Sequence, residues 1–245
     1  MKIIKVKNYQ QLSEKACAML MEVLTTKKNP VLGLATGSTP EGMYKCLIQK
    51  YKNKEVSFQN VTTFNLDEYI GLHKDNDQSY NYYMFDKFFN HIDINEENIY
   101  IPDGMAADLE QECTRFEKLI EEKGPIDFQV LGIGVNGHIG FNEPGTPFTS
   151  RTQIVELTEE TRRSNARFFN SVDEVPTKAI TMGIGTIMES KKVVLLVSGK
   201  NKADALARII DGEVAEESPA SILKQHPDAT IVADEDALSK VQRKI

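Results

Sequence analysis

Short apolar runs alternate with amphipathic segments along the whole chain. Residues 2–6, 30–35, 61–65, 128–133, 179–182, 193–197 and 230–233 are apolar runs of strand length. Between them lie helical patterns. From Asn8, in N-cap position, apolar residues recur at Leu12, Ala16, Met19, Leu20 and Val23, one face of a helix. Similar patterns cover about 41–52, 79–89, 107–123 and 161–169, the third with Leu109, Cys113, Phe116 and Ile120 on one face. Another helix ends near Asp211 with Gly212 beyond it, and a short one carries Ile222 and Leu223 after Pro219. Strands alternating with helices predict a single α/β domain over residues 1–245. Its sheet should be doubly wound and mostly parallel, with helices on both faces.

Composition narrows the class. A chain of 245 residues with 40% hydrophobic content should bury roughly 70–75% of its unfolded surface, and needs no metal or disulfide to hold a core. With 29 Lys and Arg against 36 Asp and Glu the formal charge is −7, and no basic tract is present. Nucleic acid and anionic membrane are therefore not expected partners. The first residues are too few and too charged for a signal peptide, and no run approaches a bilayer span. Cys17, Cys46 and Cys113 are odd in number, far apart and on helical patterns. They form no metal spacing and are expected to be reduced core thiols of a soluble cytoplasmic protein.

Candidate chemistry sits where strands end. The run 128–133 leads into glycines at 132, 134, 137 and 140, interleaved with Asn136, His138, Asn142 and Glu143. Ligands bind at such strand ends in open α/β sheets. A carboxylate five residues after a histidine can orient it and favour its charged form. A glycine-rich turn with a surface histidine has the same residues. The stretch Thr36-Gly37-Ser38-Thr39-Pro40 joins a strand to a helix, with Pro40 suited to the first helical position and Ser38 or Thr39 to the cap. Free N–H groups at such a start suit phosphate, although the spacing matches neither a Walker nor a dinucleotide loop and a plain capped turn fits as well. Asp67 and Glu68 end another strand, either as a helix cap beside a solvated glutamate or as a base at the mouth of the sheet. A lysine-bearing turn, 198–202, again suits an anion. The polar segment after the Pro/Gly-rich loop is a candidate lid over about 158–182, or a solvated helix.

Several stretches occur together in one known family. They are Gly-Leu-Ala-Thr-Gly-Ser-Thr-Pro (33–40), Asn-Leu-Asp-Glu-Tyr (65–69), Gly-Ile-Gly-Val-Asn-Gly-His-Ile-Gly-Phe-Asn-Glu-Pro (132–144), Ser-Arg-Thr (150–152), Ala-Arg-Phe-Phe (166–169) and Ser-Gly-Lys-Asn-Lys-Ala (198–203). The chain resembles glucosamine-6-phosphate deaminase over essentially its whole length. The resemblance implies a Rossmann-like α/β sandwich. It also implies conversion of glucosamine 6-phosphate and water to fructose 6-phosphate and ammonia, without metal or organic cofactor, in amino-sugar catabolism. By the same resemblance Asp67 is the enolisation base and His138 the ring-opening group. Glu143 is the carboxylate partner of that histidine, and Asn136 stands where some members have aspartate and orients it. Gly37, Ser38, Thr39, Arg167 and Lys202 match phosphate ligands.

Regulated members bind N-acetylglucosamine 6-phosphate between subunits through serines after the Asn-Glu-Pro turn and basic residues after Ser-Arg-Thr. Here those positions hold Thr146, Pro147, Gln153 and Val155, and the chain ends at Ile245, short of their C-terminal extension. No activation by that sugar is expected, and a monomer is expected rather than the family's hexamer. Two other readings share the pattern: a 6-phosphogluconolactonase-like hydrolase, and a sugar-phosphate sensor without turnover. The lactonase needs no base for C2-to-C1 proton transfer. The sensor would normally carry a DNA-binding extension and lose catalytic groups.

Overall fold

The computed structural model describes residues 1–166 and 169–244. In chain order its first elements are β1 (Lys2–Val6), α1 (Tyr9–Thr26), β2 (Val31–Leu34), α2 (Ser38–Lys52), β3 (Thr62–Asn65), β4 (Asp67–Tyr69), α3 (Tyr80–Lys87) and β5 (Ile99–Tyr100). There follow α4 (Leu109–Lys123), β6 (Phe128–Leu131), β7 (Gln153–Glu156), α5 (Glu159–Asn165), β8 (Lys178–Thr181), α6 (Ile184–Met188), β9 (Val193–Val197), α7 (Ala203–Asp211) and β10 (Ala229–Asp234).

The main sheet has seven strands, all parallel, in the order β1-β10-β9-β6-β2-β3-β5. Its central strands are apolar on both faces: Leu32, Phe128, Val194 and Ile231 are fully buried. This is the run pattern of a parallel sheet covered on both sides. The chain steps one way from β2 to β3 and β5, and the other way from β6 to β9 and β10. Right-handed crossovers then place α1 and α2 on one face and α7 on the other. The expected doubly wound architecture is present.

A second, three-stranded antiparallel sheet, β4-β8-β7, was not expected. The run 179–182 does not join the main sheet: β8 pairs Ala179 with Tyr69 and Thr181 with Asp67. The run 61–65 does not continue smoothly either. It leaves the main sheet at Leu66, whose N–H donates to Leu34 and whose carbonyl accepts from Met182 N–H at 2.7 Å. β5, β7 and α6 also escaped the pattern, being two, four and five residues long. Residues 178–181, at the far end of the candidate lid, form the middle strand of this second sheet.

The cysteine expectation is corrected in part. Cys113 is a buried free thiol, but Cys17 of α1 and Cys46 of α2 form a disulfide, their Cα atoms 6.1 Å apart. The two helices pack side by side, so separation along the chain says nothing about the pairing.

Two carboxylates, the half-buried Glu117 and the buried Asp127, pin the layers. Glu117 of α4 accepts from Thr152 N–H and from the hydroxyls of Thr152 and Thr186, and pairs with Arg151, which ties the approach to β7 onto α4. Asp127, just before β6, accepts from Val31 N–H at 3.0 Å and lies 2.9 Å from both Lys27 and Lys191. Burial opposes its charge, but the two ammonium groups and the Val31 N–H outweigh burial and hold its carboxyl below the usual range. Removing it in Asp127→Ala is expected to cost about 1.5–3 kcal/mol, the range for hydrogen bonds to charged groups, read as a lower urea midpoint at pH 7. Because the folded carboxyl titrates below the unfolded one, this stabilisation is complete above the unfolded value of 3.8 and disappears as pH falls through the folded value. Wild type and variant should therefore converge in acid. Equal midpoints at pH 7 would contradict the assignment.

Candidate active site

The direction of winding reverses between β2 and β6, so a crevice opens between the loops that follow them, at the C-terminal edge of the sheet. The loop after β2 carries Gly37, Ser38 and Thr39, and the loop after β6 carries Asn136, His138 and Glu143. The turn after β9, next in order beyond β6, carries Lys202, and the chain beyond β3 delivers Asp67. Four separate stretches of sequence therefore meet at one edge.

The loop after β6 is folded tightly. Gly134 N–H donates to His138 C=O, and Gly137 N–H donates to Gly134 C=O. A Cβ at Gly134 would run into the His138 imidazole, so only glycine lets the ring lie there. Asn142, fully buried, donates to the carbonyls of Ile139 and Met182, both at 2.9 Å. Phe141 N–H donates to Thr181 Oγ1 at 3.0 Å. These bonds fasten the loop to the end of β8, opposite Asp67.

His138 is oriented by a chain of hydrogen bonds. Asn136 Nδ2 donates to Glu143 Oε2 at 2.6 Å. That fixes the amide, because a carboxylate only accepts. Asn136 Oδ1 then faces His138, 2.7 Å from its Nδ1 and 3.2 Å from its backbone N–H. An amide oxygen cannot donate, so Nδ1 carries the hydrogen and Nε2 is left to exchange protons. Glu143 Oε2 lies 3.4 Å from Nδ1, so Asn136 is the nearer partner and Glu143 the charge behind it. Burial works against the Glu143 charge, but His138, Thr161 and Asn136 outweigh it and hold the carboxyl down at about 2. Thr161 of α5 donates to Glu143 Oε1, which joins α5 to the histidine loop.

The two neighbouring carboxylates at 67 and 68 have opposite duties. Glu68 accepts three backbone N–H groups, those of Tyr69, Tyr80 and Asn81, at 2.8–2.9 Å. Together with the N-cap Ser79, whose hydroxyl accepts from Tyr82 N–H at 3.0 Å, it anchors the start of α3, so Glu68 is not the solvated neighbour of a capping Asp67. Asp67 is buried at 7% exposure and is pushed up to about 8 by burial first and by the charge of Glu68 second. Its Oδ2 lies 3.6 Å from the point where a Cβ of Gly140 would stand, and Thr181 Oγ1 lies 2.9 Å from that point. Gly140, at φ +57, thus brings the histidine loop close against the Asp67 carboxyl.

The helix start after β2 differs from the expected one. α2 begins at Ser38 with Gly37 as its cap, at φ +91 and without a side-chain cap bond. Pro40 is the third helical residue. Gly37 has no side chain with which to cap the helix, so the first-turn N–H groups of Ser38 and Thr39 are left without a capping partner. Lys202 ends the turn Lys200–Lys202 before α7. That turn is held by Asp234 at the end of β10, which accepts from Ser198 Oγ at 2.5 Å and from Gly199 N–H at 3.1 Å. Arg167 lies outside the described residues. Sequence reasoning missed Asp234, Thr161, Thr181 and the clamp made by Asn142. Only Asn142, inside the glycine-rich motif, carried a local signal.

Comparisons with known proteins identify the family. A family model described as glucosamine-6-phosphate isomerases/6-phosphogluconolactonase matches residues 5–232. A glucosamine-6-phosphate deaminase of Thermoanaerobacter pseudethanolicus (strain ATCC 33223 / 39E) is 56% identical over 241 residues, 98% of this chain and 95% of the relative. One from Clostridium botulinum (strain Eklund 17B / Type B) is 57% identical over 244 residues, covering 100% of this chain and 98% of the relative. A solved structure described as a monomeric glucosamine-6-phosphate deaminase superposes with a TM-score of 0.97 at 51% identity, over 98% of this chain and 100% of that one. A 6-phosphogluconolactonase from Trypanosoma cruzi superposes at 0.77 with 20% identity, covering 99% and 97%, and shares the fold. The chain belongs to the glucosamine-6-phosphate deaminase family.

Proposed function

We propose that the chain converts glucosamine 6-phosphate and water to fructose 6-phosphate and ammonia, with His138 opening the ring and Asp67 moving a proton between carbons. The observation that carries the division of labour is the contrast between two carboxyls on one site. Glu143 is held down at about 2 and stays a fixed negative charge behind the histidine. Asp67 is pushed up to about 8, where a group both takes and returns a proton near neutrality.

In the proposed sequence Nε2 of His138 takes the proton of the anomeric hydroxyl and returns one to the ring oxygen, giving the open aldehyde. The Asp67 carboxylate takes the C2 proton, the C2–H electron pair forms a C1–C2 double bond, and the pair of the C1–O double bond moves to the aldehyde oxygen, which takes up a proton. Return of the proton to C1 uses the pair of the C1–C2 double bond, the nitrogen lone pair forms a C2–N double bond, and the nitrogen gives up a proton, leaving an imine at C2. Water adds there and ammonia departs. Asn136 keeps the imidazole in the tautomer that this requires. The N–H groups and hydroxyls of Ser38 and Thr39 at the α2 start, with Gly37, receive the phosphate, joined by Lys202 and Arg167. A lactonase needs no base facing a carbon, so the burial of Asp67 favours the deaminase.

The segment from residue 158 to the start of β8 acts as the lid. It touches the site through Thr161 on Glu143 and through Asn165, which donates to Tyr69 at 2.9 Å. The protein works as a monomer, as the solved relative is described. It works in the cytoplasm, since a phosphorylated sugar does not cross a bilayer unaided.

Asp67 must be ionised to accept the C2 proton, so kcat/KM is expected to fall on the acid side with an apparent pKa near 8. Asp67→Asn should lose roughly 10²–10⁴-fold in kcat while still binding fructose 6-phosphate. An acid limb in the ordinary carboxylate range, or a variant within tenfold of wild type, would contradict the role. For regulation, curves of rate against glucosamine 6-phosphate should coincide with and without N-acetylglucosamine 6-phosphate, since the positions expected to hold it are Thr146, Pro147, Gln153 and Val155. A leftward shift in its presence would overturn this.

A further inference from the structure

Three tyrosines from three different helices converge on the loop after β2. Tyr44 of α2 donates to Ala35 C=O at 2.5 Å, and Tyr83 of α3 donates to Gly37 C=O at 2.6 Å. Tyr9, the first residue of α1, donates to Ser38 C=O at 2.8 Å and accepts from Gly42 N–H at 2.8 Å. Its hydroxyl therefore bridges both ends of the first turn of α2. Gly42 admits this approach, because a Cβ there would meet Ser13 and stand 3.1 Å from the Tyr9 hydroxyl. Three of the four carbonyls between Ala35 and Ser38 are thus held by phenols.

Peptide planarity turns this into a statement about the opposite side of the loop. In a trans peptide the carbonyl of one residue and the N–H of the next point in opposite directions. Holding the carbonyls of Ala35, Gly37 and Ser38 therefore directs the N–H groups of Thr36, Ser38 and Thr39 away from the tyrosines. Those of Ser38 and Thr39 lie in the first turn of α2, beyond the reach of the helix's own ladder.

We propose that Tyr9, Tyr44 and Tyr83 are positioning residues for the sugar phosphate, holding the loop so that the free N–H groups of Thr36, Ser38 and Thr39 face the anion. This rests on the reading of Gly37, Ser38 and Thr39 as the phosphate site. Burial raises the Tyr44 and Tyr83 phenols well above their ordinary value, so both remain donors throughout the working pH range. The hydroxyls make no contact with the sugar. They set the loop before substrate arrives, which removes an ordering cost from binding. The phosphate is remote from the reacting carbons and is held equally in ground and transition states, so the effect belongs in KM and not in kcat.

The experiment uses Tyr83→Phe and Tyr9→Phe, which remove one hydroxyl each. Tyr9 is partly exposed, so its variant keeps the core intact. Tyr44 is left in place because its ring stacks on Phe88 within the core. Three quantities are measured: KM and kcat for glucosamine 6-phosphate, and the competitive inhibition constant of inorganic phosphate. Each variant should raise KM and the phosphate constant together, by roughly threefold to tenfold as one net hydrogen bond implies, with kcat within about twofold. Variants that lose thermal stability but leave both constants unchanged would show a structural role and overturn the proposal. Backbone amide resonances of wild type under inorganic phosphate separate this from the reading beneath it. If the signals of Thr36, Ser38 and Thr39 shift while the variants keep wild-type constants, the loop binds phosphate and the tyrosine role falls. If those signals do not move, the phosphate loop itself is misassigned and the proposal falls with it.

Discussion

The site depends on one residue, Leu66, at which the chain passes from one sheet to another. Its N–H closes the parallel ladder on Leu34, and its carbonyl receives the Met182 N–H of the second sheet. The next residue, Asp67, therefore begins a strand that no longer runs in the main sheet but faces the loop after β6. Thr181, paired opposite Asp67, accepts from Phe141 of that loop. A strand continuing straight after Asn65 would have carried the carboxylate past the crevice. The second sheet is small, but it brings a buried carboxyl and an oriented histidine to one place.

Environment, and not residue type, separates the acids at this site. Glu68 has three backbone N–H groups and anchors a helix, yet burial outweighs them and pushes its carboxyl up to about 7. Glu143 has Asn136, Thr161 and His138 around it and keeps its charge. Asp67 is buried with a negative neighbour and holds its proton up to about 8. Each follows from counting donors and burial around an otherwise similar carboxyl group. The connection of Glu143 to Thr161 also means that the helix over the site and the histidine loop share a carboxylate. Displacement of α5 would expose Glu143 to water and loosen the partner of His138.

What the sequence shows about this molecule depends on how local each feature is. Strands β2, β6, β9 and β10 are apolar on both faces and stand out as runs. β7, Gln-Ile-Val-Glu, is half-exposed, and β5 is two residues long, so neither rises above its surroundings. The antiparallel pairing of residues 67–69 with 178–181 joins segments more than a hundred residues apart, and nothing local marks it. Asn136, His138 and Glu143 lie within eight residues and were legible as a group. That Glu68, and not Asp67, reaches the start of a helix was not, because the N–H groups of Tyr80 and Asn81 that it accepts lie twelve and thirteen residues on. The disulfide between Cys17 and Cys46 is decided by helix packing, and so were the tyrosine bonds to residues 35–38.

In the proposed reaction one buried carboxylate, Asp67, carries the same proton from C2 to C1, shielded from water. The most direct measurement follows deuterium from glucosamine 6-phosphate labelled at C2 into product. A share of the label retained at C1 of fructose 6-phosphate, with the remainder lost to solvent, is the result that a buried Asp67 requires. Complete washout at the earliest turnover, with C1 hydrogen drawn only from water, would contradict it.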